Sequence, residues 1–75
     1  MPAMPQHVFR LEMIAKAEEA IGRSEQAITR QLLLIETLVA NGQDASRTRE
    51  LMRVAQEHLA ELHAKRRQLL DAAAA

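Results

Sequence analysis

This 75-residue sequence contains no cysteine, no tryptophan and no tyrosine, and its single aromatic residue is Phe9. The absence of cysteine excludes disulfide bonds, thiolate metal sites and thiol nucleophiles. Only two glycines and two prolines interrupt the chain, and both prolines lie within the first five residues. The sequence therefore offers few places to turn, and its length allows at most one small domain.

Net charge of one sign is also absent, because ten basic residues balance ten acidic ones. Such a chain has no overall field that would gather nucleic acid or anionic lipid. The longest apolar run, from Leu32 to Ile35, is far shorter than the ~20 residues of a membrane span, and no signal-peptide pattern opens the chain. We therefore expect a cytoplasmic protein that does not bind membranes.

The sequence does contain a regular ladder of isoleucines spaced by seven residues, close to two helical turns: Ile14, Ile21, Ile28 and Ile35. Side chains at this spacing share one face of an α-helix. With the isoleucines at heptad position a, position d holds residues that are mostly small or polar: Ala17, Ser24, Gln31 and Leu38. The pattern predicts a helix over about residues 6–40, after a flexible lead at 1–5.

Asn41 and Gly42 then predict the end of this helix, since glycine just past the last periodic residue is the usual left-handed stop. A second helix is predicted from about Ala45 to residue 71 or 72, followed by a frayed alanine tail at 73–75. Either Asp44 or Ser46 can cap its N-terminus, and we favour Asp44 because a negative charge also suits that end of the helix dipole.

A short connection between two long helices predicts an all-α antiparallel hairpin over residues 6–72. Folding about the turn pairs residues whose numbers add to about 85–86, so that Ile35 faces Leu51 and Ile28 faces both His58 and Leu59. Large residues then face small ones at most levels. The predicted seam consists of Ile14, Ala17, Ile21, Ser24, Ile28, Gln31, Ile35, Leu38, Leu51, Ala55, Leu59, Leu62 and Leu69.

A lone hairpin has a single seam in which to bury apolar side chains, and this seam misses many of them. The predicted outsiders are Met13, Leu33, Leu34, Met52, Val54, Leu70 and Phe9. Ordering so many residues around so little buried area is unfavourable. We therefore predict a homodimer that forms a four-helix bundle; the alternative is a monomeric hairpin that awaits an unidentified protein partner.

Two polar residues inside the isoleucine seam, Ser24 and Gln31, have two interpretations. A buried polar side chain can fix the register and oligomeric state of a helical seam. Alternatively, both side chains lie at the edge of the seam and meet water.

Catalytic and metal-binding patterns are missing from the sequence. No histidine follows a glutamate by three residues, and His58 and His63 lie about 140° apart around a helix, so they cannot chelate one ion. The two isolated glycines cannot form a phosphate-binding loop. We predict no enzyme, no cofactor and no metal, and we interpret His58 as a partly buried packing residue near the seam.

Basic residues cluster near both ends of the second helix and form a candidate basic patch: Arg47, Arg49, Arg53, Lys65, Arg66 and Arg67. These clusters are interleaved with acidic residues and lack aromatic residues for base stacking. A solubilising charged surface is therefore the favoured interpretation. The alternative function is a small nucleic-acid-associated protein that uses these arginines.

Five stretches of the chain together resemble a known pattern: Ala17–Glu19, Ser24–Gln31, Asn41–Asp44, Leu62–His63 and Leu69–Leu70. The resemblance, over about residues 11–70, is to a group of short, uncharacterised alphaproteobacterial proteins with the pattern AEEHI…GE.HI.RQ…DGHD…LH…LL. It implies a bacterial, cytoplasmic helical hairpin and supplies no activity. The pattern has histidine where this chain has Ala20, Ala27 and Gln43, so no histidine-based role carries over.

Taken together, these observations predict a small, non-enzymatic helical interaction or scaffold module. It is expected to act by forming a homodimer and by binding a protein partner.

Overall fold

The structure, a computed structural model, describes the backbone of residues 6–74 and the side chains of residues 8–74. It contains two long helices, α1 (Gln6–Ala40) and α2 (Ser46–Ala74), which pack against each other. The described residues form no strand. The prediction of an all-α two-helix hairpin is thus confirmed, whereas the predicted lead at 1–5 lies outside the described residues.

The observed bounds of α1 agree with the predicted ones, but α2 is displaced at both ends. α2 begins one residue later than predicted. Ala45 precedes the helix, and only its carbonyl takes part in the helical hydrogen bonds, accepting the N–H of Arg49 at 2.9 Å. At the other end α2 continues to Ala74, beyond the predicted end at residue 71 or 72. Alanine has the highest helix propensity, and no breaker precedes the end of the chain.

The turn between the helices closes α1 through two backbone hydrogen bonds. The N–H of Gln43 donates to the carbonyl of Leu38 at 2.8 Å, and the N–H of Gly42 donates to that of Val39 at 3.0 Å. Gly42 has a φ of 68°. This arrangement is a Schellman motif, in which the residue after the helix must adopt a left-handed conformation that glycine reaches without strain.

Asp44 prepares the start of α2. Its Oδ1 accepts the backbone N–H of Ser46 at 2.9 Å and also the Ser46 hydroxyl. These two hydrogen bonds from Ser46 hold the pKa of Asp44 below its ordinary value, and the bond from the hydroxyl has the larger effect. The charge of Arg49 makes a smaller contribution. Of the two predicted capping residues, Asp44 therefore accepts the bonds, and Ser46 donates them.

The seam between the helices contains the isoleucine ladder of α1, with Ile14, Ile21 and Ile35 each less than 9% exposed and Ile28 partly buried. Ala45 is the most buried described residue, at 4% exposure. Starting from Ala45, the least exposed residues follow alternating steps of three and four: Thr48, Met52, Ala55, Leu59, Leu62, Arg66 and Leu69. This spacing is that of a two-helix seam.

One predicted seam residue lies outside this line. Leu51 is 50% exposed, and the neighbouring Met52, which was predicted to miss the seam, is partly buried instead. His58 is likewise exposed rather than packed against Ile28. The physical reason is the phase of α2: once the turn buries Ala45, residues seven and fourteen positions later face α1, and these are Met52 and Leu59.

Two polar contacts cross between the helices and show that they run antiparallel. Arg10 Nη1 donates to the carbonyl of Ala72 at 3.0 Å, and Arg66 Nη2 donates to Glu18 Oε1 at 3.0 Å. The first contact satisfies a carbonyl in the last turn of α2, which has no partner inside its own helix. Neither contact was predicted from the residue pattern.

The two glycines give a paired prediction for stability. A Cβ added to Gly22 meets no atom within 4 Å and leaves the helix conformation unchanged, so Gly22→Ala should raise the free energy of unfolding by about 1 kcal/mol. Gly42→Ala places a side chain in the left-handed region and should lower it by about 1–2 kcal/mol. Urea denaturation followed by circular dichroism at one protein concentration measures both; equal effects would contradict the role of Gly42.

The cap gives a prediction in pH. Because the pKa of Asp44 is lower in the folded state, its contribution to stability is present above the ordinary aspartate pKa of 3.8 and is lost as pH falls through the folded value. Asp44→Ala should therefore lower the Tm at pH 7, and the difference from the unsubstituted protein should shrink in acid. Gln43→Ala, in the same turn, is the control and should show no such pH-dependent difference.

Candidate interaction surface

The hairpin is a single layer of two helices, with principal extents of 60, 21 and 15 Å. Its radius of gyration is 17.5 Å, whereas a compact chain of this length would have about 11 Å. Its accessible surface is 5871 Å², whereas a compact protein of 8.4 kDa exposes about 4,600 Å². Domains usually place at least two layers around a core, so both broad faces of this layer are open.

Many large apolar side chains remain exposed on the described part of this layer, each by 38–58%: Phe9, Leu11, Leu32, Leu33, Leu34, Val39, Leu51, Val54 and Leu70. Most of them lie between residues 32 and 54, in the half of the hairpin next to the turn. Of the residues predicted to miss the seam, Met13 and Met52 are partly buried. The middle of the hairpin carries no large exposed apolar residue among those described.

One broad face is polar at its centre, and we call it the ion-pair face. It is formed by heptad position e of α1 and the matching positions of α2: Leu11, Glu18, Glu25, Leu32, Val39, Arg49, Gln56, His63 and Leu70. Glu18 is bridged here by Arg66, whose Nε and Nη2 lie 3.2 and 3.0 Å from Glu18 Oε1. Both side chains are well exposed, so this bridge contributes little to stability.

The opposite broad face has alanines at the centre of its α1 side, beside His58 and Lys65 on its α2 side, and we call it the alanine face. It is formed by position g of α1 and the matching positions of α2: Met13, Ala20, Ala27, Leu34, Leu51, His58, Lys65 and Ala72. A shallow groove of about 230 Å³ opens on its terminal half, with Ala20 of α1 and Lys65 of α2 on its two sides. No hydrogen bond between the described side chains crosses the two helices on this face.

The turn sets which residues of the alanine face lie at the same height. α1 ends at Ala40 and α2 begins at Ser46, so residues at equal height have numbers that add to about 86. Ala20 and Lys65 fit this register and both line the groove, and each step of seven residues up α1 corresponds to seven residues down α2. One step leads to Ala27 and His58, and a second leads to Leu34 and Leu51. The two leucines therefore lie side by side, 48% and 50% exposed, at the turn end of this face.

Gln31 lies in the seam just beneath the alanine face. Its Oε1 is buried and accepts no hydrogen bond from the residues that the structure describes. Ser24, one heptad earlier, is partly buried. Of the two interpretations of Gln31, the structure favours the buried one, because a side chain at the wet edge would keep its oxygen in solvent. An unpaired buried amide oxygen is unfavourable, typically by about 1–3 kcal/mol.

The candidate basic patch is divided around α2: Arg49, Arg53 and Arg67 share one side of the helix, Arg47 and Lys65 share another, and Arg66 lies in the seam. Arg53 is held by Glu50 at 2.6 Å and by Glu57, and these contacts raise the pKa of Arg53 and lower that of Glu50. Arg66 reaches across to Glu18. Two of the six cations are thus paired with carboxylates, which leaves no continuous basic ridge on one hairpin.

Metal-binding geometry is not found in the described residues, where no three histidine, aspartate or glutamate side chains converge. His58 lies on the alanine face and His63 on the ion-pair face, and both are exposed. Neither helix, within the described residues, has an apolar stretch long enough to cross a bilayer. The described surface consists of the outer sides of two helices. Its main apolar groups are exposed leucines and alanines.

Comparisons with protein-family models, with curated proteins and with solved structures find no match to this chain. The resemblance to the alphaproteobacterial group stays a prediction.

Gln31 gives a prediction for stability. Gln31→Leu removes the unpaired buried oxygen and keeps a side chain of similar size, so it should raise the free energy of unfolding by about 1–2 kcal/mol. Gln26→Leu, on the exposed side of the same helix, is the control and should change it by less than about 0.5 kcal/mol. Urea denaturation at one protein concentration measures the free energy of unfolding of both variants. Equal changes would show that the buried oxygen of Gln31 does not destabilise the protein.

Proposed function

We propose that this chain is a non-enzymatic helical interaction module that works as a homodimer, two hairpins packing into a four-helix bundle. The observation that carries the proposal is the open layer: nine large apolar side chains are at least 38% exposed on a chain of 75 residues. Six of the nine lie in the half of the hairpin next to the turn. Exposed leucines scattered singly are ordinary on protein surfaces, but such a concentration is typical of an interaction site.

The segment Leu32–Ile35 supports the proposal most directly. Four consecutive apolar residues point in all directions around α1, and a helix that is apolar all round is normally buried all round. Here α2 covers only the side of Ile35, which is 7% exposed, while Leu32, Leu33 and Leu34 are 46–57% exposed. A second hairpin packed on one broad face would bury at least one further side of this segment.

The amount of open surface also fits a dimer. The chain exposes about 1,300 Å² more than a compact protein of its mass, and a typical stable interface buries about 800 Å² on each partner. A broad face of the hairpin extends over 60 by 21 Å, which is large enough to form such an interface. Packing two such layers would also create the two-layered core that small helical domains have.

Sedimentation equilibrium tests the proposal. The protein should have twice the 8.4 kDa mass of the chain at micromolar concentrations. Its Tm should rise with concentration, because association stabilises only the folded chain. A helical protein that keeps the mass of one chain, with a Tm independent of concentration, would contradict it and would favour a hairpin that binds a different protein.

A further inference from the structure

We infer that the alanine face is the surface through which two copies of this chain associate, with turn end against turn end. In this arrangement, Leu34 and Leu51 of both copies form one closed layer of four leucines. The inference rests on the proposed function, since it presumes that the hairpin dimerises. It adds which face is covered, by what, and in which orientation.

The choice of face follows from what each face would lose in contact with a partner. Covering the ion-pair face would desolvate Glu25 and the bridge between Glu18 and Arg66, and removing exposed charges from water is unfavourable even when they are paired. The alanine face carries no interhelix ion pair among the described side chains. Its central Ala20 and Ala27 are small enough for another helix to approach closely.

Two symmetric arrangements can place one alanine face on another. If the two-fold axis runs along the helices, α1 of one copy lies over α2 of the other and both turns are at the same end. If the axis runs across the helices, α1 lies over α1 and the turns are at opposite ends. Both are closed, isologous contacts in which the same patch is used twice.

Apolar complementarity favours the axis along the helices. Leu34 and Leu51 lie at one height, so Leu34 then meets Leu51 of the partner subunit and the four side chains surround the axis. With the crossing axis and full overlap, α1 residues that meet have numbers adding to about 46, so Leu34 would instead meet Met13 of the partner subunit, and Leu51 would meet Ala72 of the partner subunit. Only the first arrangement buries the half-exposed leucines against each other.

Charge also favours the axis along the helices. Arg23 on the rim of the alanine face then lies at the height of Glu61 of the partner subunit. With the crossing axis and full overlap, Arg23 would lie beside Arg23 of the partner subunit, which is repulsive. Lys16 and Lys65 line the groove at the terminal half. Their long stems can lie along the apolar strip while the ammonium groups stay in water, so the tightest contact is at the turn half.

A pair of substitutions on neighbouring positions of α1 tests the choice of face. Leu34 and Leu32 are 48% and 46% exposed in one hairpin, but Leu34 lies on the alanine face and Leu32 on the ion-pair face. Lysine is a good helix former, so both substitutions should leave the hairpin folded. We expect Leu34→Lys to raise the dimer Kd at least about 100-fold, because in a two-fold symmetric dimer the substitution removes two leucines from the interface. Leu32→Lys should change it less than about threefold.

Sedimentation equilibrium measures the Kd, and circular dichroism verifies that both variants stay helical. Leu51→Lys is a second variant on the alanine face and should behave like Leu34→Lys. If the unsubstituted protein is a dimer that Leu32→Lys dissociates and Leu34→Lys does not, the assignment of the face is wrong while the proposed function stands. If the unsubstituted protein is a monomer, the proposed function itself fails.

The orientation is tested with a single spin label, because the chain has no native cysteine. Gln43→Cys places a nitroxide in the exposed turn. With turn against turn, double electron–electron resonance should give a distance between the two labels of less than about 30 Å, since packed helices lie 8–10 Å apart. A fully overlapped crossing arrangement would separate the turns by about 60 Å at 1.5 Å per residue, and that distance would overturn the proposed orientation.

Charge reversal adds an independent readout of the orientation. Arg23→Glu should weaken the dimer, and adding Glu61→Arg should restore it by reversing the pair. Because Glu19 lies 3.7 Å from Arg23 within one helix, Arg23→Glu also places two carboxylates together, and the Kd of the single Glu61→Arg variant corrects for this in a double-mutant cycle. No coupling between the two positions would contradict the arrangement with the axis along the helices.

Discussion

The rest of this structure depends on one constraint: two helices in contact can bury only one stripe of each. The isoleucine ladder supplies that stripe on α1, and the line from Ala45 through Leu69 supplies it on α2. No side chain of α2 is fully buried, because each has solvent on at least one side. This geometry leaves both broad faces of the hairpin open to a partner.

Much of the hairpin could be predicted from the sequence because the signals that define it are local. Asn41 and Gly42 stop α1 where no proline lies within thirty residues on either side, and the left-handed φ of Gly42 is the conformation that such a stop requires. The isoleucine spacing likewise fixes one face of α1 without knowledge of the partner helix. Length, composition and the stop at Asn41 and Gly42 thus predict two helices, their approximate ends and their antiparallel order.

The phase of α2 could not be predicted in the same way. Its leucines allow a stripe through Leu51 as well as one through Met52, and the choice depends on whether Ala45 turns inward after the Schellman motif. That is a property of the path of the turn in three dimensions rather than of the composition of α2. The contacts of Arg10 with Ala72 and of Arg66 with Glu18 depend on the same register, so they too lay beyond sequence reasoning. A shift of one residue around α2 moved Leu51 from the seam to the surface.

That shift also changes what the open faces can do. With Leu51 outside the seam, it lies beside Leu34 at the turn end of the alanine face, and the two together make an apolar pair that a single hairpin leaves half exposed. The two broad faces differ mainly at the positions that flank the seam: glutamates at 18 and 25 on one side, alanines at 20 and 27 on the other. Carboxylates keep a face hydrated, whereas alanines permit close approach of another helix. The hairpin therefore has one face suited to water and one suited to a partner. The residues that distinguish these two faces contribute little to the stability of the hairpin.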